Sequence, residues 1–252
     1  MKSANKNKSI PFFRYFPAAI KFYGLKNDKI AAFVFIILLG INFCSNMFAI
    51  KATENLTTIN SQLMAPNLTQ SIELLIRIGT ISLVTSMLMN IFSSFYLYAY
   101  LKDLRGIPYT FTECLKDIVK KLYKIIILSL IVFLAIFTGS ILFAIPGIIL
   151  YIMFIFANQF LVDQDRSVFN CLKGSMNLTN GYKWGIFSSV LMLNLIILIF
   201  PSFVEAGNGL LVFSFVSSFI STIFNIIYQR FVTIMYFDLE YLRKPKDIDI
   251  NI

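Results

Sequence analysis

Long uncharged runs alternate with short basic stretches along this chain, and the runs set its architecture. Ile30–Ile50 contains no charged residue, and Ile78–Leu101 is a second such run, led in by Glu73 and Arg77 in the same apolar pattern. Ile125–Val162 is also uncharged, too long for one crossing of a bilayer but divided by Ile145-Pro146-Gly147. Proline beside glycine suits a tight hairpin between two spans. Trp184–Val204 and Ala206–Gln229 follow, separated by Glu205, and the last run continues past Arg230 to Phe237. A crossing needs about 20 mostly apolar residues. The pattern therefore predicts an all-α polytopic membrane protein with six transmembrane helices. Its fourth span, Ile148–Val162, is the shortest and is expected to borrow Pro146 and Gly147; a re-entrant pair over Ile125–Val162 is the alternative.

The segments between the runs have a helical pattern of their own. Thr110 and Glu113 fit a capping box. After them Phe111, Leu115, Ile118 and Leu122 share one helical face, with Lys116, Lys120, Lys121 and Lys124 elsewhere. A cytoplasmic amphipathic helix of this kind lies in the membrane interface and favours anionic lipid. A second candidate runs from Ser167 to Asn180, with Val168, Cys171, Leu172 and Ser175 on one side and Asn180-Gly181 as its stop. Phe12–Lys26 is a poorer third, interrupted by Pro17. Cys114-Leu115-Lys116 matches Cys171-Leu172-Lys173, and each pair of spans ends near an aspartate, Asp103, Asp163 or Asp238. Three copies of an amphipathic segment plus two spans would explain this; so would the common physics of span ends.

Charge orients the spans. Lys2, Lys6, Lys8, Arg14, Lys21, Lys26 and Lys29 precede the first, and Lys102, Arg105 and the lysines of 116–124 lie between the second and third. Arg166, Lys173 and Lys183 precede the fifth, and Arg243, Lys244 and Lys246 follow the sixth, whereas Lys51 alone is exposed on the other side. The positive-inside rule then places both termini in the cytoplasm and Lys51–Ser71 outside. It divides the chain into a basic segment 1–29, a six-helix membrane domain 30–237 and a cytoplasmic tail 238–252. The same bias accounts for the net charge of +9 without a nucleic-acid partner. Composition agrees: 58% of residues are hydrophobic and 14% charged, at a mean hydropathy of +0.75, where soluble domains are about a quarter charged. No signal-peptide cleavage site follows the first run. A Lys-, Asn-, Ile- and Phe-rich chain suggests an AT-rich bacterial genome, hence the plasma membrane, and makes the Asn55 and Asn67 sequons chance. Cys44, Cys114 and Cys171 sit in a span or in cytoplasmic helices, which argues against disulfides.

Ile145-Pro146-Gly147-Ile148, a short span, an acid-containing turn and then Leu172, Ser175, Leu178, Gly181 and Trp184 carry a resemblance. With Asp103-Leu104-Arg105-Gly106 and the closing Tyr236-Phe237-Asp238-Leu239, Arg243-Lys244 and Asp247-Ile248-Asp249, they resemble the membrane domain of bacterial glycerophosphoryl diester phosphodiesterases and related six-span families, over roughly residues 95–250. Glu240 departs from that pattern, which often has a basic residue there. The catalytic barrel of those enzymes has no counterpart in either tail, so the resemblance implies the six-span fold and not the reaction.

Little enzymatic chemistry remains. The chain has no histidine, the commonest general base and metal ligand, and no P-loop, G-x-S-x-G or paired-cysteine spacing. Asp163 and Asp165 read as a solvated helix stop before a catalytic pair. Neither a cofactor nor a metal is expected. Polar positions inside the spans are more informative. Ser82, Ser86, Asn90 and Ser93 recur along span two, and Ser214, Ser217, Ser218, Ser221 and Asn225 along span six. Such stripes let membrane helices pack closely, or line a groove; either way the two spans are expected to meet through them. Arg77 and Arg230 are the charges nearest bilayer depth. Arg77 is expected to pair with Glu73 or snorkel, and Arg230 to snorkel or to bind a lipid phosphate. Arg230, Arg77, Asn90 and Asn225 are thus the candidate ligand or lipid residues, with Asn158, Gln159 and Asn194 as possible partners. The leading expectation is a non-enzymatic accessory or scaffold protein working through anionic lipid, a partner membrane protein or a second copy of itself. A small transporter or lipid-handling protein with a groove between spans two and six, and a membrane-embedded hydrolase, are the alternatives.

Overall fold

A computed structural model describes residues 12–20, 25, 28–62, 68–204 and 210–243. Among them every regular element is a helix: α1 (Phe12–Ile20), α2 (Asp28–Gln62), α3 (Leu68–Leu104), α4 (Phe111–Leu142), α5 (Ala144–Phe154), α6 (Ala157–Gln164), α7 (Val168–Thr179), α8 (Lys183–Val204) and α9 (Leu210–Arg243). Five stretches are long and apolar enough to cross a membrane: Asp28–Phe48, Gly79–Leu104, Phe111–Ile141, Ile145–Gln164 and Ser214–Tyr241. The describable apolar part of α8, Lys183–Ile196, is shorter. Of the expected tail 238–252, residues 244–252 lie outside the described residues, but α9 itself continues five residues past Asp238, to Arg243.

Several helices overrun the expected spans. The sequence predicts a loop over Lys51–Ser71, yet α2 runs for 35 residues to Gln62 and α3 for 37 from Leu68. At 1.5 Å per residue such helices are ~50 Å long, well beyond a hydrocarbon core of ~30 Å. Nothing between Lys51 and Gln62 is a proline or glycine, so the polar sequence there has no reason to stop the helix. The segment expected as a separate interfacial helix at 110–124 is likewise the opening of α4, a single 32-residue helix. Its capping box is present: Glu113 N–H donates to Thr110 Oγ1 at 3.3 Å and Thr110 N–H to Glu113 Oε2 at 3.0 Å. The buried line is Cys114, Ile118, Ile125 and Leu128, whereas Phe111 and Leu115 are exposed. Of the expected face Ile118 is buried in the bundle, Phe111 and Leu115 point outward, and Cys114, beside that face, packs on α3. Its thiol lies 3.7 Å from the Phe95 carbonyl oxygen of α3.

Between α4 and α5 the only connecting residue is Phe143, an extended cap. Glycine makes this hairpin so tight: a Cβ on Gly147 would stand 3.1 Å from the Ser140 backbone, and one on Gly139 3.1 Å from Gly147 N. The fourth candidate span then breaks. Helix α5 ends at Phe154 and α6 starts at Ala157, with Phe156 at φ −97°, ψ 4° between them. From there α7 folds back with Cys171, Leu172 and Ser175 of the expected face buried, Val168 half-buried and Leu178 buried in addition, and Gly181 at φ +89° ends the turn. A core of Tyr15, Ile30, Leu97, Ile118, Phe156, Phe231, Met235 and Tyr236 joins α1, α2, α3, α4, α9 and the break itself.

Candidate functional site

The break in the fourth span has a partner. Ser175 of α7 is fully buried; its hydroxyl donates to the Met153 carbonyl at 2.7 Å and accepts from Phe156 N–H at 3.2 Å. These are backbone groups that interruption of a helix releases, and in an apolar surrounding they cannot be left unpaired. A neighbouring hydroxyl thus makes an irregular turn tolerable inside an otherwise apolar helix.

Beside this turn lies a cavity of about 440 Å³, walled by α3, α4, α5, α6 and α9. Its walls are mostly apolar, among them Leu128, Phe133, Phe137 and Phe154, and none of its lining residues is charged. Polar groups converge on it from every wall: Ser86 and Asn90, Ser129 and Ser140, Tyr151, Asn158 and Gln159, and Tyr228 and Gln229. Two contacts brace them. The Tyr151 and Tyr228 hydroxyls meet each other, and Asn158 Nδ2 donates to Ser94 Oγ at 3.2 Å. Gln159 is 2% exposed, and its Oε1 has no hydrogen-bond partner among the described residues. A buried acceptor without a donor is costly, ~1–3 kcal/mol.

A second, smaller cavity of about 230 Å³ follows along α3, α4 and α6, at the end of the bundle where basic residues gather. Lys102, Arg105, Lys121, Asp117, Asp163 and Tyr98 line it. Arg105 pairs with Glu240 at 3.0 Å and with Asp163, to which Tyr236 also donates at 3.0 Å. Gln164 joins Glu240 at 3.1 Å. Lys121 Nζ donates to the Val162 carbonyl at 2.9 Å, Tyr98 donates to Asp117 at 3.0 Å, and Lys102 Nζ stands 5.5 Å from the Tyr98 ring centroid. Asp165, in the left-handed conformation that ends α6, pairs with Lys124 at 2.8 Å. Asp163 and Asp165, expected as a solvated stop, are therefore both held by cations. The other span-end acids accept from tyrosines: Asp103 from Tyr109 at 3.1 Å and Asp238 from Tyr15 at 2.5 Å. Burial, and after it the charge on Asp103, push the Tyr109 phenol up. Burial also pushes the Cys171 thiol up.

The four residues singled out from the sequence fall in different places. Asn90 lines the large cavity. Asn225 is half-buried, with its Oδ1 unpartnered among the described residues, and does not line that cavity. Arg77 is exposed and pairs with Glu73 at 3.6 Å, outside the candidate span. Arg230 does not snorkel. It is 3% exposed, its guanidinium carbon 4.9 Å from the Tyr100 ring centroid and beside Tyr96, with Nε and Nη1 unpartnered among the described residues. An aromatic face attracts a guanidinium more strongly once both are desolvated, which is what holds this side chain inward. The stripes also pair differently from expectation. Asn42 and Asn46 of α2 donate at 2.9 Å to Thr222 and Ser218 of α9, so the stripe of the sixth span meets the first span. The second span's Ser82 and Ser86 are exposed, and α3 meets α9 through Tyr96 and Tyr100 instead. Sequence reasoning missed the helix break, the Gln159 orphan and the Arg105–Asp163–Glu240 network. Glu240, noted only as a departure from a pattern, was the available signal for the last.

A scan of protein-family models finds none that matches this chain, and searches of curated proteins and of solved structures likewise give no match.

Proposed function

We propose that this chain is a non-enzymatic membrane protein that holds a lipid-type molecule in the cavity beside its broken fourth span. The observation that carries this reading is the cavity itself, uncharged and mostly apolar, at about 440 Å³, with polar groups of five helices converging on it. Sites for small ligands are commonly apolar concavities of ~300–1,000 Å³ with a few placed polar groups. An uncharged lining suits the glycerol and upper acyl region of a lipid.

The finer picture belongs to the same proposal. Helix α8, 22 residues long, serves as the remaining span in a six-span protein. Lys102, Arg105, Lys121, Lys124 and Lys183 flank span ends that would then face the cytoplasm of a bacterial cell, with Lys51 outside. The one-residue hairpin at Phe143 and the buried face of α7 support the resemblance to the phosphodiesterase membrane domain. Both surround the Ile145-Pro146-Gly147 and Leu172-to-Gly181 residues that carry it. The break between α5 and α6 also favours a second reading, a small lipid transporter, because discontinuous helices at mid-membrane commonly form transport sites.

The test is a Ser129→Phe substitution, which fills the large cavity from α4. Full-length wild-type protein purified in detergent and extracted into organic solvent should yield a stoichiometric lipid by mass spectrometry, and the variant should lose it. Equal lipid content in the two proteins would overturn the proposal.

A further inference from the structure

The small cavity between α3, α4 and α6 lies at one end of the bundle, and exposed aromatic side chains fix the depth of that end. From Tyr123 to Leu142 helix α4 rises ~30 Å, the thickness of a hydrocarbon core. Tyr123 is exposed, as are Trp184 at the start of α8 and Tyr241 near the end of α9. Tyrosine and tryptophan at span ends settle at the level of the lipid headgroups. Lys121, which lines the cavity, comes two residues before Tyr123, ~3 Å along the helix. The cavity is therefore at headgroup depth.

Its cations are not all committed. Arg105 pairs with Asp163 and Glu240, and Asp163 accepts from Tyr236 as well. Among the described residues Lys102 makes only its contact with the Tyr98 ring, and Lys121 only its bond to the Val162 carbonyl. An ammonium carries three donors, so both lysines keep protons for a ligand. Both are half-buried and are set into the cavity wall by α3 and α4. Lys116 and Lys120, on the same stretch of α4, are exposed and line neither cavity. The remaining carboxylate of the lining is Asp117, which accepts from Tyr98. Two lysines against one carboxylate leave one positive charge in excess. A phosphodiester neutralises that charge, whereas a doubly charged phosphomonoester exceeds it. At about 230 Å³ the cavity takes a headgroup but not a whole lipid, so the acyl chains stay outside it.

We propose that the small cavity is a lipid-headgroup site in its own right. Lys102 and Lys121 hold the phosphodiester of a glycerophospholipid whose chains remain in the surrounding leaflet. This site does not depend on the lipid reading of the large cavity.

The experiment is native mass spectrometry of the full-length protein in detergent, titrated separately with phosphatidylglycerol, diacylglycerol and glycerophosphoglycerol, the last being the headgroup without its chains. Lys102→Gln combined with Lys121→Gln should weaken phosphatidylglycerol binding at least about tenfold, as loss of a hydrogen bond between charged groups commonly does. Diacylglycerol, which has no phosphate, should bind that variant as it binds wild type. Lys116→Gln combined with Lys120→Gln removes the same charge from exposed positions and should change phosphatidylglycerol binding by no more than about twofold. Equal loss in the two double variants would reduce the site to a basic surface and overturn the proposal, as would no loss in either. Wild-type binding of glycerophosphoglycerol as tight as that of phosphatidylglycerol would overturn the lipid assignment in favour of a soluble phosphodiester. Thermal unfolding in the same detergent checks each variant. Should the cavity variant not fold, Lys102→Gln alone, which gives up no hydrogen bond, takes its place with the same readouts. Ser129→Phe, which fills the large cavity, should keep the lysine-dependent binding. Its loss there would put phosphatidylglycerol in the large cavity and overturn the separate site, so the two readings fail by different results.

Discussion

Replacing Ser175 by alanine removes one hydroxyl and exposes two backbone groups. In the wild type that hydroxyl accepts from Phe156 N–H and donates to the Met153 carbonyl, and Ser175 is wholly buried. A buried polar group deprived of its partner costs ~1–3 kcal/mol. Two such groups that share one relaxing turn give an expected loss of about 2–5 kcal/mol. Ser188→Ala is the matched control, because its hydroxyl is exposed and bonds only to Gly185 O of its own helix at 3.1 Å. It should cost under ~0.5 kcal/mol, as surface changes usually do. The assay is thermal unfolding of both variants in one detergent, reported as a midpoint shift, since membrane proteins often unfold irreversibly and the midpoint is then a rate-dependent quantity. Ser175→Ala should unfold several degrees below Ser188→Ala and also release bound lipid, because the turn it supports forms a wall of the large cavity. Equal midpoints would mean that the Phe154–Ala157 turn satisfies itself, and that α7 does not hold the break open.

Gly147→Ala should destabilise by ~1–3 kcal/mol through overpacking, since its Cβ would meet the Ser140 backbone at 3.1 Å; Gly40→Ala, with nothing within 4 Å, should not. Thermal unfolding of the pair decides it, and equal midpoints would contradict the hairpin's close approach. Asn42→Leu combined with Thr222→Val in a double-mutant cycle should give a coupling of ~0.6 kcal/mol, the average for such bonds between membrane helices; zero coupling would remove the link between α2 and α9. Arg230→Met should lower the unfolding midpoint by an amount equal to ~1–2 kcal/mol, because it removes the guanidinium packed 4.9 Å from the Tyr100 ring; an unchanged midpoint would show that this contact does not hold the side chain inward. Cysteines placed at Lys51 and Arg105 should label from opposite sides of intact cells or vesicles, and labelling from one side would refute the orientation.

How much of this was legible in the sequence depends on whether the determinant was local. The uncharged runs, the Thr110–Glu113 box and the stop at Gly181 each arise from a few adjacent residues and appear where expected, whereas the hairpin expected at Ile145-Pro146-Gly147 turns at Phe143, with those residues inside α5. The buried face of α7 was legible for the same reason, since a short helix has one side to bury. The first turns of α4 were legible only in part: Ile118 of the expected face is buried, but Cys114 packs on α3. The end of the uncharged run at Ile50 suggested a loop, but only proline or glycine would have enforced one over 51–62. Of the candidate site, Asn90 and Gln159 were named from the sequence as polar residues within spans; the cavity that gives them meaning depends on five helices meeting.

The break in the fourth span shows why such a site escapes sequence reading. Neither Ile155 nor Phe156 is a helix breaker, and the run Ile148–Val162 contains no proline or glycine. The interruption is permitted by Ser175, nineteen residues past Phe156, because a hydroxyl there pairs the released amide and carbonyl. Sequence patterns register what a residue does to its own helix, whereas this turn depends on what a second helix offers to it. The same logic extends to Arg230. Its place near the end of an apolar run made snorkelling the cheaper expectation, yet Tyr96 and Tyr100 on a different helix supply the interior surroundings that keep it inside. Both features place polar groups within an apolar bundle at a cost the chain meets through tertiary partners. Both lie on the walls or flanks of α3, α6 and α9, the helices between which the lipid site is proposed.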